Sequence, residues 1–129
     1  MIIGQDAGLA ETWDRGKRYR YIENLPCGQY YHAAVDDGEP YLIYGGLQDN
    51  GTWAVPSRTR FQDGVINDDA VRLGGGDGFT ALPHPGVPGL VFFESQLGGL
   101  AWRDLETGRS GGVARPAGAR LRFNWDTPV

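Results

Sequence analysis

The sequence predicts an all-β chain made of repeated antiparallel sheets, a segment of a β-propeller. Three observations predict it. Glycine is in excess, at 21 of 129 residues, and interrupts every window that could have held a helix. Short apolar runs alternate with turn clusters, the pattern of many short strands. The chain also matches itself without a gap at a step of 48 residues. Ala33 falls on Ala81, Pro40 on Pro88, Leu42 on Leu90, Ile43 on Val91, Tyr44 on Phe92, Gln48 on Gln96 and Gly51 on Gly99. A weaker copy lies upstream at a step of 43, where "QDAG" (5–8) matches "QDNG" (48–51). Periods in the forties suit propeller blades, whereas helical repeats of that length need two amphipathic helices per unit.

A blade has four antiparallel strands, inner to outer. The first complete one is expected over 29–36, 40–46, 51–55 and 70–74, and the second over 77–82, 89–95, 99–104 and 110–115. "YLIYGG" then reads as a buried strand, and "LQDNG" as the turn that follows, with Asn50-Gly51 suited to positive φ. Upstream, 1–6, 8–13 and 17–22 read as the last three strands of an earlier blade. Downstream, "RLRFNWDTPV" reads as the first strand of a later one. The domain pattern is therefore 1–22, 23–75, 76–118 and 119–129, all within one incomplete propeller. Closed propellers have about 4–8 blades. The expected partners are further blades of the same propeller or further copies of the chain, together with a glycan or peptide ligand.

Composition narrows the function. At 40% hydrophobic the chain can build a core. The net charge of −4 argues against nucleic acid, which needs a basic surface, and there is no polybasic membrane signal. No apolar run reaches transmembrane length, and Met1-Ile2-Ile3 gives way at once to Gly4, Gln5 and Asp6, so no signal peptide is expected here. Cys27 is the single cysteine and forms no internal disulfide. Two isolated histidines and one cysteine make no zinc site, and no metal or cofactor is expected. A hard cation on Asp68 and Asp69 competes with simple solvation of an acidic loop.

Several motifs together resemble a known family. "TWDRGKRY" (12–19) resembles the Asp-box, or BNR repeat, of pattern Ser/Thr-x-Asp-x-Gly-x-x-Trp. Thr12, Asp14 and Gly16 match it, and Tyr19 replaces the usual Trp. With "YGGLQDNGTW", "SR", "GGGDGF", "ESQ", "DLETG" and "LRFNWDTP", the chain resembles the bacterial sortilin-like BNR-repeat propellers, related to xyloglucanases and often labelled glycosyl hydrolases. The resemblance covers nearly the whole chain. It departs at Ala70, where relatives usually carry an aromatic residue. It implies a multi-bladed propeller, commonly exported to the periplasm or outside the cell. It implies glycoside hydrolysis or carbohydrate binding in the full-length protein, with this segment not expected to be active alone. Sortilin-like relatives also serve as ligand receptors, so a non-catalytic peptide- or protein-binding scaffold is the alternative.

Antiparallel topology sorts the motifs onto two ends of the sheets. Gln5-Asp6, Gln48-Asp49-Asn50, Gln96 and "GGGDGF" belong to one end, around the expected channel mouth. The Asp-box, "DLETG" (104–108) and the start of the 56–69 connection, with Arg58 and Arg60, belong to the other. Thr12, Asp14, Gly16 and Tyr19 read as a structural turn. Gln48, Asn50 and Gln96 read either as repeated turn chemistry or as amides that bind sugar hydroxyls. "GGGDGF" lacks the third glycine of a phosphate loop, since Phe79 stands there. It reads either as close backbone packing or as a hinge carrying Asp77 to the mouth. A glycosidase needs two carboxyl groups flanking the scissile bond, and Asp49, Asp77 and Glu94 are the candidates. Trp53, Phe79 and Trp102 are candidate sugar platforms that compete with core packing. His32, on an inner strand beside Tyr30 and Tyr31, reads as a packing residue, and His84 as part of an exposed turn.

Overall fold

The computed structural model describes residues 1–5, 8–22, 28–114 and 121–127. The strands are β1 (Ile2–Gln5), β2 (Gly8–Glu11), β3 (Arg20–Ile22), β4 (Tyr30–Val35), β5 (Leu42–Leu47), β6 (Gly51–Pro56), β7 (Val71–Gly74), β8 (Gly78–Pro83), β9 (Leu90–Ser95), β10 (Gly99–Asp104) and β11 (Ser110–Gly112). One short 3-10 turn, Asn67–Asp69, precedes β7. The strands form three antiparallel sheets in sequential order: β1-β2-β3, β4-β5-β6-β7 and β8-β9-β10-β11. The chain is thus all-β, as its periodicity predicts.

The repeat is visible as register. Ala33 pairs with Gly45 and Val35 with Ile43 in one sheet, while Ala81 pairs with Phe93 and Pro83 with Val91 in the next. Leu47 opposite Gly51 recurs as Ser95 opposite Gly99. The turn residues Asp49 and Leu97 recur at φ of 60° and 61°. The upstream copy is shorter. Gln5 pairs directly with Gly8, so two residues stand in its turn where three separate Leu47 from Gly51.

The core lies between the two four-stranded sheets. Tyr44, Ala54 and Leu73 from one face Ala81, Val91 and Phe93 from the other. These residues alternate along their strands, so one face of each sheet is buried. The sheets approach closely where Gly46 lies against the backbone of Gly78 and Phe79. A Cβ on Gly46 would stand 2.1 Å from the Gly78 carbonyl carbon. Below the core, the Asp36 carboxylate accepts from the N–H groups of Leu42 (2.9 Å) and Gly38 (3.1 Å) and from the Tyr44 hydroxyl (2.8 Å). Burial alone would raise Asp36, yet these donors hold it below its usual value. The same burial and the neighbouring carboxylate push the Tyr44 hydroxyl up.

The C-terminal expectation differs in part. Residues 121–127 form no strand and belong to no sheet among the described residues. A strand is defined by its ladder, and no neighbouring strand pairs with this segment. It nevertheless lies against the third sheet. Leu97 donates its N–H to the Trp125 carbonyl (3.1 Å), and Phe123 lies over Gly98. Asp6, Cys27 and the 115–120 part of the last two expected segments fall outside the described residues.

Candidate functional site

Two kinds of turn hold the opposite ends of the sheets. At one end, the 12–19 turn is built around two side chains. Thr12 donates to Asp14 (3.0 Å) and accepts from the Gly16 N–H (2.9 Å), while Asp14 accepts from the Arg18 N–H (2.9 Å). The Arg18 N–H is the main reason the Asp14 carboxyl is held below its usual value. Gly16 sits at φ 85°, and a Cβ there would meet the Tyr19 hydroxyl. Asp104 repeats the design, accepting from the N–H groups of Glu106 and Thr107 and from the Thr107 hydroxyl. Thr12, Asp14, Gly16 and Tyr19 therefore interlock as one turn, and their contacts serve the backbone.

At the other end, the expected motifs meet in a chain of hydrogen bonds. Gln96, in the β9–β10 turn, accepts the Asp77 N–H on its Oε1 (3.0 Å). Asp77, in the β7–β8 connection, accepts the Asp49 N–H on its Oδ1 (2.7 Å). The Gly51 N–H then donates to the Gly76 carbonyl (2.8 Å). The glycines of "GGGDGF" make this possible. A Cβ on Gly76 would stand 2.6 Å from Gln96 Oε1, and one on Gly78 would stand 2.3 Å from Thr52 Oγ1. The close-packing reading of that motif describes this contact, in which the Asp77 carboxylate accepts a backbone N–H of the β5–β6 turn. Asn50 donates its amide to the Gln48 carbonyl (3.0 Å) and accepts the Trp53 indole N–H on its own carbonyl (2.7 Å). Trp53 is half-buried beneath the Arg72 guanidinium, which lies 5.9 Å from the ring centroid.

Beside this clip, the inner strands bring an aromatic pair and an acid cluster together. Bulges interrupt the β4–β5 ladder at Tyr30–His32 and the β8–β9 ladder at Gly78–Ala81. Bulges re-aim side chains, and Tyr31 and Phe79, equivalent in the repeat, stack with centroids 4.6 Å apart. Phe79 is buried at 1% exposure, whereas Tyr31 remains 38% exposed, so Tyr31 offers the accessible ring. Desolvation and the charges of Asp77, Asp49 and Asp126 push the Tyr31 hydroxyl up.

Glu94 is the group that stands out. It occupies the repeat position of Gly46 and is fully buried at 0% exposure. Thr127 donates its N–H to Glu94 Oε1 (2.6 Å). Oε2 has no hydrogen-bond partner among the described residues. Burial is the main reason the Glu94 carboxyl is raised, and the charge of Asp126 adds to it. Asp126 is in turn within 3.2 Å of His32 Nε2. Glu94, Asp126, His32, Tyr31, Asp77 and Asp49 thus form one electrostatic neighbourhood. A protonated Glu94 can donate a proton, the exposed carboxylates can accept hydroxyl hydrogen bonds, and Tyr31 can stack on an apolar ring face. Among the described residues no cluster of three or more His, Cys, Asp or Glu side chains could hold a metal ion.

Sequence reasoning placed Asp49, Asp77, Gln96 and Glu94 at this end, where the structure joins the first three. It missed Tyr31, His32 and Asp126. The signal for Asp126 lay in the repeat, which carries 78–79 onto 126–127 and so onto the surroundings of residue 94. A separate cavity of about 270 Å³ lies at the far end, lined in part by Asp36, Tyr44, Pro83, His84, Pro85 and Pro88. Among the described residues no helix is long and apolar enough to cross a membrane. No protein-family model matches the chain, and no curated protein or solved structure matches it.

Proposed function

We propose that the chain is a segment of a sortilin-like BNR-repeat β-propeller that binds a neutral glycan at the end carrying Tyr31, Asp49, Asp77 and Asp126. The observation that carries this reading is Glu94, a buried acid held toward its protonated form beside an exposed carboxylate and an exposed aromatic ring. That is the pairing a glycosidase needs: one carboxyl kept neutral as acid and a second kept charged. In the full-length protein the reading is glycoside hydrolase-like, with Glu94 as acid and Asp126 or Asp77 as the carboxylate. Asp77 and Asp126 each engage one oxygen, with the Asp49 N–H and with His32, and Asp126 is the better candidate because its charge is the one that acts on Glu94. The negative net charge favours a neutral sugar chain over a polyanion.

The test is a calorimetric titration with soluble xyloglucan oligosaccharides. Binding is expected, and Tyr31→Ala should weaken it about three- to tenfold, the worth of one aromatic stack. Absence of binding, or binding indifferent to Tyr31, would contradict the reading. A second reading, peptide or protein binding without catalysis, is favoured by the far cavity, whose proline walls and Asp36 carboxylate suit a cationic side chain. Peptide binding that survives Tyr31→Ala and fails in His84→Ala would select it.

A further inference from the structure

We propose that the cavity at the far end is a subsite for a lysine side chain, which it takes in preference to arginine. This rests on the second reading above, which places a cationic side chain there, and it names the cation.

The cavity lies between two equivalent turns, β4–β5 and β8–β9, and all of its lining falls from Val35 to Leu90. The step of 48 residues carries Asp36 onto His84, Gly38 onto Gly86, Pro40 onto Pro88 and Tyr44 onto Phe92. The two turns are built alike. Asp36 Oδ1 accepts the Gly38 N–H (3.1 Å), and His84 Nδ1 accepts the Gly86 N–H (3.0 Å). The Asp36 N–H donates to the Leu42 carbonyl (3.3 Å), and the His84 N–H donates to the Leu90 carbonyl (2.8 Å). An imidazole that accepts at Nδ1 is neutral, with its hydrogen on Nε2. The Leu90 N–H donates to the Val87 carbonyl (3.2 Å), where the Leu42 N–H donates to Asp36 (2.9 Å). The second turn thus forms without a carboxylate, so the charge on Asp36 is not what shapes the first.

That charge has no cation beside it. Its donors, the Gly38 and Leu42 N–H groups and the Tyr44 hydroxyl, are all neutral. Asp37 lines the same cavity, and among the described residues no Lys or Arg does. On the other wall His84 offers an N–H rather than an acceptor. Pro83, Pro85, Pro88 and Leu90 add apolar surface, and each proline ring fixes its φ, so the wall is preformed. At about 270 Å³ the cavity is smaller than the roughly 300–1,000 Å³ of pockets that take whole small molecules. It suits one side chain with an apolar stem and a charged head.

The acceptor count separates lysine from arginine. A carboxylate has about four acceptor sites, two on each oxygen. The Gly38 and Leu42 N–H groups fill Oδ1, and the Tyr44 hydroxyl leaves one site on Oδ2. A guanidinium fork needs a free site on each oxygen, so it would have to displace a backbone N–H. An ammonium is a point charge with rotatable donors. It can give one to Asp36 Oδ2 and another to Asp37.

The test is a titration of the full chain with Nα-acetyl-lysine methylamide, followed by amide NMR. The arginine and norleucine analogues are run beside it, the second having the stem without the charge. The Gly38, Leu42 and Gly86 N–H signals are expected to move with the lysine compound and to stay in place with norleucine. Lysine should bind about fivefold tighter than arginine, the worth of one hydrogen bond. Asp36→Asn should lose the lysine preference altogether. Asp37→Asn, which leaves the Asp36 bonds in place, should weaken lysine binding about two- to fivefold, the range for an exposed charge pair. Arginine bound as tightly as lysine at the same signals would overturn this inference and leave the second reading standing. Norleucine bound as tightly as lysine, or signals that move with none of the three, would overturn both. Glycan binding is read separately, through Tyr31.

Discussion

Glu94 shows how one residue changes a repeated junction. At the equivalent position Gly46 lets two backbones touch, and a side chain there has nowhere to go. Gly46→Ala is expected to cost about 3 kcal/mol in a denaturant titration, because rigid backbone rather than a flexible side chain would have to move. Glu94 has room, but one of its oxygens lacks a partner among the described residues. Its raised pKa means the folded protein holds a proton that the unfolded chain releases as pH rises past the usual 4.5. Glu94 thus favours folding below that value, and this contribution is lost as pH rises through the folded value. Glu94→Gln should therefore match wild type near pH 4 and exceed it at pH 8. The expected gain is about 1–3 kcal/mol, the range for a buried polar group left unmatched. Equal stability at both pH values would contradict this. Asp36 works in the opposite sense. Its carboxyl is depressed, so its contribution is present above its usual 3.8 and is lost as pH falls through the folded value. Tyr44→Phe removes a hydroxyl donor to that carboxylate and should cost about 1.5–3 kcal/mol at neutral pH.

At the scale of elements, the β7–β8 connection acts as a fastener between sheets. It donates the Asp77 N–H to Gln96 of the β9–β10 turn and accepts the Asp49 N–H of the β5–β6 turn on the Asp77 carboxylate. Asp77→Ala and Gln96→Ala should each cost about 1 kcal/mol, the ordinary worth of one hydrogen bond. Because the two bonds share Asp77, the double variant should cost less than the two single costs combined. Simple additivity, measured by chemical denaturation of all four proteins, would mean that the bonds act independently. This fastener was largely legible in the sequence. The step of 48 residues set strand order, register and the shared end of Gln48, Asp49, Gln96 and Asp77. The bulges at Tyr31 and Phe79 were not legible, because a bulge is a local slip in pairing that leaves composition and periodicity unchanged. The bond from His32 to Asp126 joins residues 94 positions apart and depends on where 121–127 docks, which no local pattern encodes.

At the scale of the molecule, the carboxylates are used differently at the two ends. The Asp14 and Asp104 turns spend their carboxylates on backbone N–H groups. The opposite end divides its acids, with Asp77 fastening the turn, Glu94 buried and Asp126 exposed beside His32. The repeat explains why the scaffold recurs. The departures from it, Glu94 for Gly46 and Asp126 for Gly78, mark where the scaffold was altered, and both altered positions carry acids at one junction. That coincidence underlies the functional reading, in which Glu94 must hold its proton while its neighbour stays charged. The most direct measurement is a pH titration of the Glu94 carboxyl by carbon-13 NMR, with the Glu94→Gln chain used to assign the signal. A midpoint clearly above the usual 4.5 is expected, falling when Asp126→Asn removes the neighbouring charge. A midpoint at or below the usual value, unmoved by Asp126→Asn, would contradict the account and leave Glu94 an ordinary carboxylate.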